Sequence, residues 1–124
     1  MALEKLNRRD GDWMSMLERI ERSGVVAIVR LDDYSRAPEM ARALADGGVE
    51  AVEFTYTNPA AGEAVRATKA AMGGDMLVGA GTVLDPETAR AAILQGADFI
   101  VTPTLQVDTI RLCQRYSVPT VIGA

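Results

Sequence analysis

The stretch VEAVEFTYTNP, residues 49–59, decides the architecture. It opens with a short run rich in Val and Phe, the composition of a buried strand. It closes on Asn58-Pro59, where a capping side chain before a proline announces a helix. Just ahead of it lie Gly47-Gly48, placed to stop an earlier helix. Within the run, Val52 and Phe54 fall on one face, while Ala51, Glu53 and Thr55 fall on the other. One face is bulky and apolar; the other carries a single carboxylate.

The same phrase repeats in both directions. Apolar runs at 25–30, 76–80, 98–101 and 119–122 read as further strands, with starts recurring about every 21–27 residues. Helix periodicity fills the gaps: Ala37, Met40, Ala41 and Leu44 share one face, as do Ala61, Ala64, Val65 and Thr68. Pro38 suits a helix start, Asp85-Pro86 repeats the cap, and Gly73-Gly74 and Gly96 repeat the stops. A leading amphipathic stretch, 13–22, should pack through Trp13, Met14 and Met16. Strand–helix units of this size build parallel α/β sheets, and nearly all-apolar strands mean that both faces are covered. The expected fold is a partial (β/α)8 TIM barrel: one N-terminal helix, about four βα units and a fifth strand. Residues 1–124 form one incomplete domain, expected to be truncated after that strand because its apolar face and ladder groups stay open.

Composition narrows the function. The balance of 13 basic and 17 acidic residues gives a net charge of −4, and the basic residues are scattered, so no nucleic-acid or membrane partner is expected. No apolar run approaches a membrane span, and the first ten residues contain no signal core. Cys113 is the sole cysteine, which fits a reducing compartment, so a cytoplasmic location is expected. The chain has no histidine, which removes a histidine base and the commonest zinc ligand; no metal and no cofactor are expected.

Ligands of such folds bind at the carboxyl ends of the strands. The polar residues there are Arg30, Glu53, Thr55, Thr57, Thr82 and Thr102. Glu53 should point into the barrel mouth, where burial raises a carboxyl toward the range useful for proton transfer. The alternative is a rim salt bridge with Arg30, itself a candidate carboxylate clamp. Gly79-Ala80-Gly81-Thr82 is a glycine-containing turn that either admits an anion to its N–H groups or is a tight turn only. It lacks the spacings that would point to NAD or ATP. Cys113 sits in a helical segment, 107–116, and reads as a packed thiol. The two lysines, Lys5 and Lys69, are not at strand ends.

Taken in order, Val26-Ala27-Ile28-Val29-Arg30, Gly47-Gly48-Val49, Val52-Glu53-Phe54-Thr55-Tyr56-Thr57-Asn58-Pro59, Val78-Gly79-Ala80-Gly81-Thr82-Val83 and Gly96-Ala97-Asp98-Phe99-Ile100-Val101-Thr102-Pro103 resemble one family. These motifs, over about residues 20–124, are similar to the bacterial class I aldolases acting on 2-keto-3-deoxy-6-phosphogluconate (KDPG) and 4-hydroxy-2-oxoglutarate (KHG). The resemblance implies a homotrimeric (β/α)8 barrel of roughly 200 residues. It implies reversible cleavage of a 2-keto-4-hydroxy acid to pyruvate and an aldehyde through a lysine Schiff base. By the same resemblance Glu53 shuttles protons and Arg30 and Thr57 line the pocket. Thr82 and the glycine stretch with Gly81 receive the substrate carboxylate, and Pro103 shapes the wall. Some relatives carry arginine in place of Thr57. The family's Schiff-base lysine belongs to a sixth strand beyond Ala124, so this chain alone is expected to be inactive. Two other readings are another sugar-acid barrel lyase or isomerase, and a non-catalytic half barrel that self-assembles.

Overall fold

The computed structural model describes residues 10–124, with side chains from Ser15 onward. Lys5 and the side chains of Trp13 and Met14 lie outside the described residues. The elements are α1 (Asp10–Ser23), β1 (Ala27–Val29), α2 (Ala37–Asp46), β2 (Ala51–Thr55), α3 (Ala61–Met72) with a 3-10 turn (Gly73–Asp75), β3 (Leu77–Gly81), α4 (Pro86–Gln95), β4 (Phe99–Thr102), α5 (Val107–Arg115) and β5 (Thr120–Ile122). The strands pair in parallel in the order β1-β2-β3-β4-β5. This is a partial (β/α) barrel, as the repeating units require.

Local chemistry explains most boundaries. The Asp85 carboxylate accepts from the Thr88 N–H at 2.6 Å, and α4 ends where Gly96 turns left-handed at φ 107°. Pro38 falls in the first turn of α2. Two expectations need correction. Asn58 does not cap α3, whose cap position is Ala60. Its Oδ1 accepts from the Ala60 N–H, while its Nδ2 donates to the Leu31 and Asp32 carbonyls at 3.0 and 2.9 Å. The side chain ties the loop after β2 to the loop after β1. The second correction is register: β2, β3 and β4 each run one residue further than the apolar runs, and β1 is shorter, leaving Arg30 outside it. Gly81 and Thr102 carry the ladder on beyond the apolar residues that mark these strands in the sequence.

Two apolar layers flank the sheet. The outer one joins Val52, Phe54, Val78, Ala80 and Ile100 to the helices. The inner one is smaller: Ala51, Leu77 and Phe99, each the first residue of its strand, pack against Met16 and Ile20 of α1. Helix α1 therefore closes the amino end of the sheet. Gly79 is needed there, because a Cβ would stand 2.5 Å from Cζ of the Phe99 ring. At the two edges the inner face is uncovered: Ile28 of β1 is 66% exposed and Val121 of β5 is 42% exposed.

Near the amino end of β4, buried Asp98 accepts from Lys69 Nζ at 2.7 Å and from the Val78 N–H at 2.9 Å. Lys69 also donates to the Gly73 carbonyl at 2.9 Å. The pair ties α3 to two strands. Removing the carboxylate would take the side-chain acceptor from the Val78 amide and leave the half-buried Lys69 ammonium with only the Gly73 carbonyl. Asp98→Ala is expected to cost about 3 kcal/mol, read as a lower urea midpoint with an unchanged slope. A loss below about 1 kcal/mol would show that water replaces the carboxylate freely.

Candidate active site

The carboxyl ends of the strands gather the polar residues. On β2 the period of two sends Glu53 and Thr55 to the inner face, opposite Val52 and Phe54. Both are buried; Glu53 is 5% exposed. Its carboxylate lies against Gly81 of the neighbouring strand, where a Cβ would overlap Oε1 and stand 2.9 Å from Cδ. Gly81 is thus the seat of the Glu53 carboxylate, a role the sequence reading did not give it. It also lies within β3 and not in a loop.

Among the described residues nothing donates a hydrogen bond to Glu53, and no ion pair reaches it. Burial pushes its carboxyl above the ordinary value of 4.5, and the positive charge of Arg30 offsets part of that rise. A rim salt bridge would bring the two side chains into contact; here Arg30 acts on Glu53 only through its field. Arg30 is exposed, and its Nη2 donates to Thr82 Oγ1 at 3.2 Å. The guanidinium of the β1 end thereby meets the residue that follows β3, bridging past β2.

Thr82 has φ 54°. A β-branched residue in the left-handed region is strained by about 1–3 kcal/mol, and such strain concentrates at functional sites. Nothing in the sequence signals it. Tyr34 was also missed. It is buried, meets Phe54 edge-on at 5.4 Å between ring centroids, and donates to the Val29 carbonyl at 2.7 Å. Its hydroxyl lies 3.3 Å from Thr55 Oγ1, which in turn lies 3.0 Å from Thr57 Oγ1. An aromatic within the polar run Asp32-Asp33-Tyr34-Ser35 was the one available clue.

Thr57 is exposed in the turn that follows β2, its Oγ1 3.0 Å from Thr55 Oγ1. Pro103 is exposed just past β4, and the Pro103 carbonyl fills the space that a Gly123 side chain would occupy. Buried Thr102 donates from Oγ1 to the Thr104 carbonyl at 2.8 Å. Cys113 is fully buried, and desolvation pushes its thiol to about 12, so it is a packing residue. Lys69 is held by Asp98 near the amino ends of the strands, away from this mouth. Among the described residues no group of His, Cys, Asp or Glu is placed to hold a metal ion, and no helix is long and apolar enough to cross a membrane.

A sequentially ordered parallel sheet, closed at its amino end by a helix and carrying a buried carboxylate and an arginine toward its carboxyl end, has the build of a (β/α)8 barrel enzyme. The family model for KDPG and KHG aldolases matches residues 16–124. The chain belongs to that family, whose named members are aldehyde-lyases. It is 36% identical over 110 residues to the 2-dehydro-3-deoxy-phosphogluconate aldolase of Treponema pallidum, covering 89% of this chain and 52% of that one. The Haemophilus influenzae enzyme of the same name is 34% identical, with coverages of 87% and 50%. Among solved structures, the 2-keto-3-deoxy-6-phosphogluconate aldolase of Zymomonas mobilis ATCC 29191 superposes with a TM-score of 0.72 at 29% identity, covering 80% of this chain and 47% of that one. The chain spans about half the length of the curated relatives it matches.

Proposed function

We propose that the protein carrying this chain is a class I aldolase that reversibly cleaves a 2-keto-4-hydroxy acid, of the KDPG or KHG type, to pyruvate and an aldehyde. The observation that carries this reading is the Glu53 carboxylate, buried on the inner face with no hydrogen-bond donor among the described residues. A lysine amine condenses with the keto carbon and loses water, giving an iminium. The C3–C4 bonding pair then flows into the iminium, while the C4 hydroxyl gives its proton to Glu53, directly or through a water. The aldehyde leaves, and Glu53 returns a proton to the enamine carbon before hydrolysis frees pyruvate. Glu53 suits both steps because burial brings its carboxyl nearer neutrality.

Arg30 and Thr82 receive the substrate carboxylate in this reading, Thr57 lines the outer part of the pocket, and Pro103 forms its wall. Gly81 contributes by leaving room for Glu53. The amine comes from outside the described residues, since Lys69 is committed to Asp98. A homotrimer acting in the cytoplasm is the accompanying expectation, which rests on the family resemblance and, for the compartment, on the single thiol.

Borohydride trapping tests the reading. Full-length protein incubated with pyruvate and borohydride should gain one reduced pyruvate adduct on a lysine outside residues 1–124, and the 124-residue chain should gain none. A stable adduct on Lys5 or Lys69 accompanied by turnover would overturn the assignment of the amine. Absence of any adduct on the full-length protein would overturn the Schiff-base mechanism.

A further inference from the structure

Arg30 stands one residue past the last paired position of β1, where Val29 sits opposite Phe54. Among the described residues β1 is also an edge of the sheet, so no strand pairs with its other side. Side chains hold the backbone around the guanidinium instead. Before it, the Tyr34 hydroxyl donates to the Val29 carbonyl at 2.7 Å. After it, Asn58 Nδ2 donates to the Leu31 carbonyl at 3.0 Å and to the Asp32 carbonyl at 2.9 Å. The sense of this amide is fixed by its partners. Carbonyls only accept and the Ala60 N–H only donates, so the nitrogen faces Leu31 and Asp32. The oxygen accepts from Ala60 at 2.8 Å. Both amide protons are thereby used, one on each carbonyl.

Asn58 belongs to the loop that follows β2, the strand that carries Glu53. Its bridge therefore sets the arginine-bearing end of β1 against the strand that holds the carboxylate. The Arg30 side chain is exposed and meets Thr82 across 3.2 Å. A long side chain with many rotamers reaches a given partner only from the right starting point, and its backbone is that point. We infer that Asn58 is a positioning residue for substrate binding. It holds residues 31–32 so that the Arg30 guanidinium stands beside Thr82 and takes the substrate carboxylate. Asn58 itself touches no substrate; its effect passes through the backbone at the end of β1. The inference rests on the aldolase reading for the carboxylate that Arg30 receives, while the bridge rests on geometry alone.

The test is exchange of the pyruvate methyl protons into heavy water by the full-length protein, followed by NMR. Exchange needs the iminium and the enamine but no aldehyde, and it yields kcat and the KM for pyruvate separately. Asn58→Ser keeps an oxygen for the Ala60 N–H and removes the two-proton bridge. Its KM should rise about tenfold, the loss of one charge-assisted contact. Its kcat should stay within about twofold, because the carboxylate keeps its charge into the transition state and the clamp binds both states alike. A defect that merely weakened the fold would lower the amount of active protein and leave KM where it was. In an Arg30→Gln background, itself raised in KM, Asn58→Ser should add no more than about twofold. A KM unmoved by Asn58→Ser, or a rise that persists in full without Arg30, overturns the inference and leaves the aldolase reading standing. Arg30→Gln with the wild-type KM takes the carboxylate away from Arg30, and the inference falls with that assignment. No exchange by the unaltered protein overturns the Schiff-base reading itself.

Discussion

Exchange of Glu53 for glutamine in the full-length protein is expected to lower kcat for aldol cleavage by about 10²–10⁴, the span that loss of one general acid–base group produces. Glutamine keeps the shape that fits against Gly81, so the loss reports the proton and not the packing. Release of pyruvate in a coupled assay measures it, and a variant within tenfold of wild type would remove Glu53 from the chemistry. The substitution also changes stability, with a definite sign. The folded-state carboxyl titrates above its ordinary 4.5, so between that value and the raised one the native protein binds the proton more tightly than the unfolded chain. Stability therefore falls as pH rises through this window. The glutamine variant lacks that slope and should be the more stable protein at neutral pH. Below about pH 4.5, where Glu53 is protonated in both states, the two proteins should converge.

Gly81→Ala should be nearly as damaging, for a steric reason. The added methyl overlaps Glu53 Oε1, stands 2.9 Å from its Cδ and touches Thr55 Cγ2 at 3.4 Å. Gly81 is not among the glycines with positive φ, so the change acts through space alone. The carboxylate must move off its seat, and a displacement near 1 Å can cost about a hundredfold in rate. Overpacking should also lower stability by about 1–3 kcal/mol. A double-mutant cycle separates the two effects: in the Glu53→Gln background, Gly81→Ala should reduce kcat little further, since there is no longer a base to misplace. Full additivity would mean that Gly81 serves the reaction by some route other than Glu53.

The parts legible in the sequence were those governed by neighbours along the chain. Period-two alternation put Glu53 on the inner face opposite Val52 and Phe54, and a carboxylate three residues before an orphan amide made Asp85 a cap. The parts that escaped depend on residues far away in sequence. Asn58 looked like a cap too, but the Leu31 and Asp32 carbonyls, more than 25 residues earlier, draw its amide into a bridge between loops. Gly79 and Gly81 read from the sequence either as an anion-admitting loop or as a tight turn, and neither reading gives them a steric role. Their true neighbours, the Phe99 ring and the Glu53 carboxylate, sit on adjoining strands and need the missing side chains as space. The left-handed backbone of Thr82 leaves no trace in spacing or composition, and the buried hydroxyl of Tyr34 leaves only an aromatic set in a polar run. Strand-end position singled out Arg30, Thr57 and Thr82, and family resemblance supplied their roles, whereas the contact between the Thr55 and Thr57 hydroxyls is visible only in the structure.

The strictly sequential order of the strands bears on how the polypeptide acquires its shape during synthesis. Each strand pairs with the one translated just before it, so a template is waiting when each new segment leaves the ribosome, and growth can be vectorial. The exception is the free side of β1, which in a closed eight-stranded cylinder meets the last strand to be made. Ile28, 66% exposed on the inner face of β1, lies along that edge, whose ladder groups stay open until a partner strand reaches them.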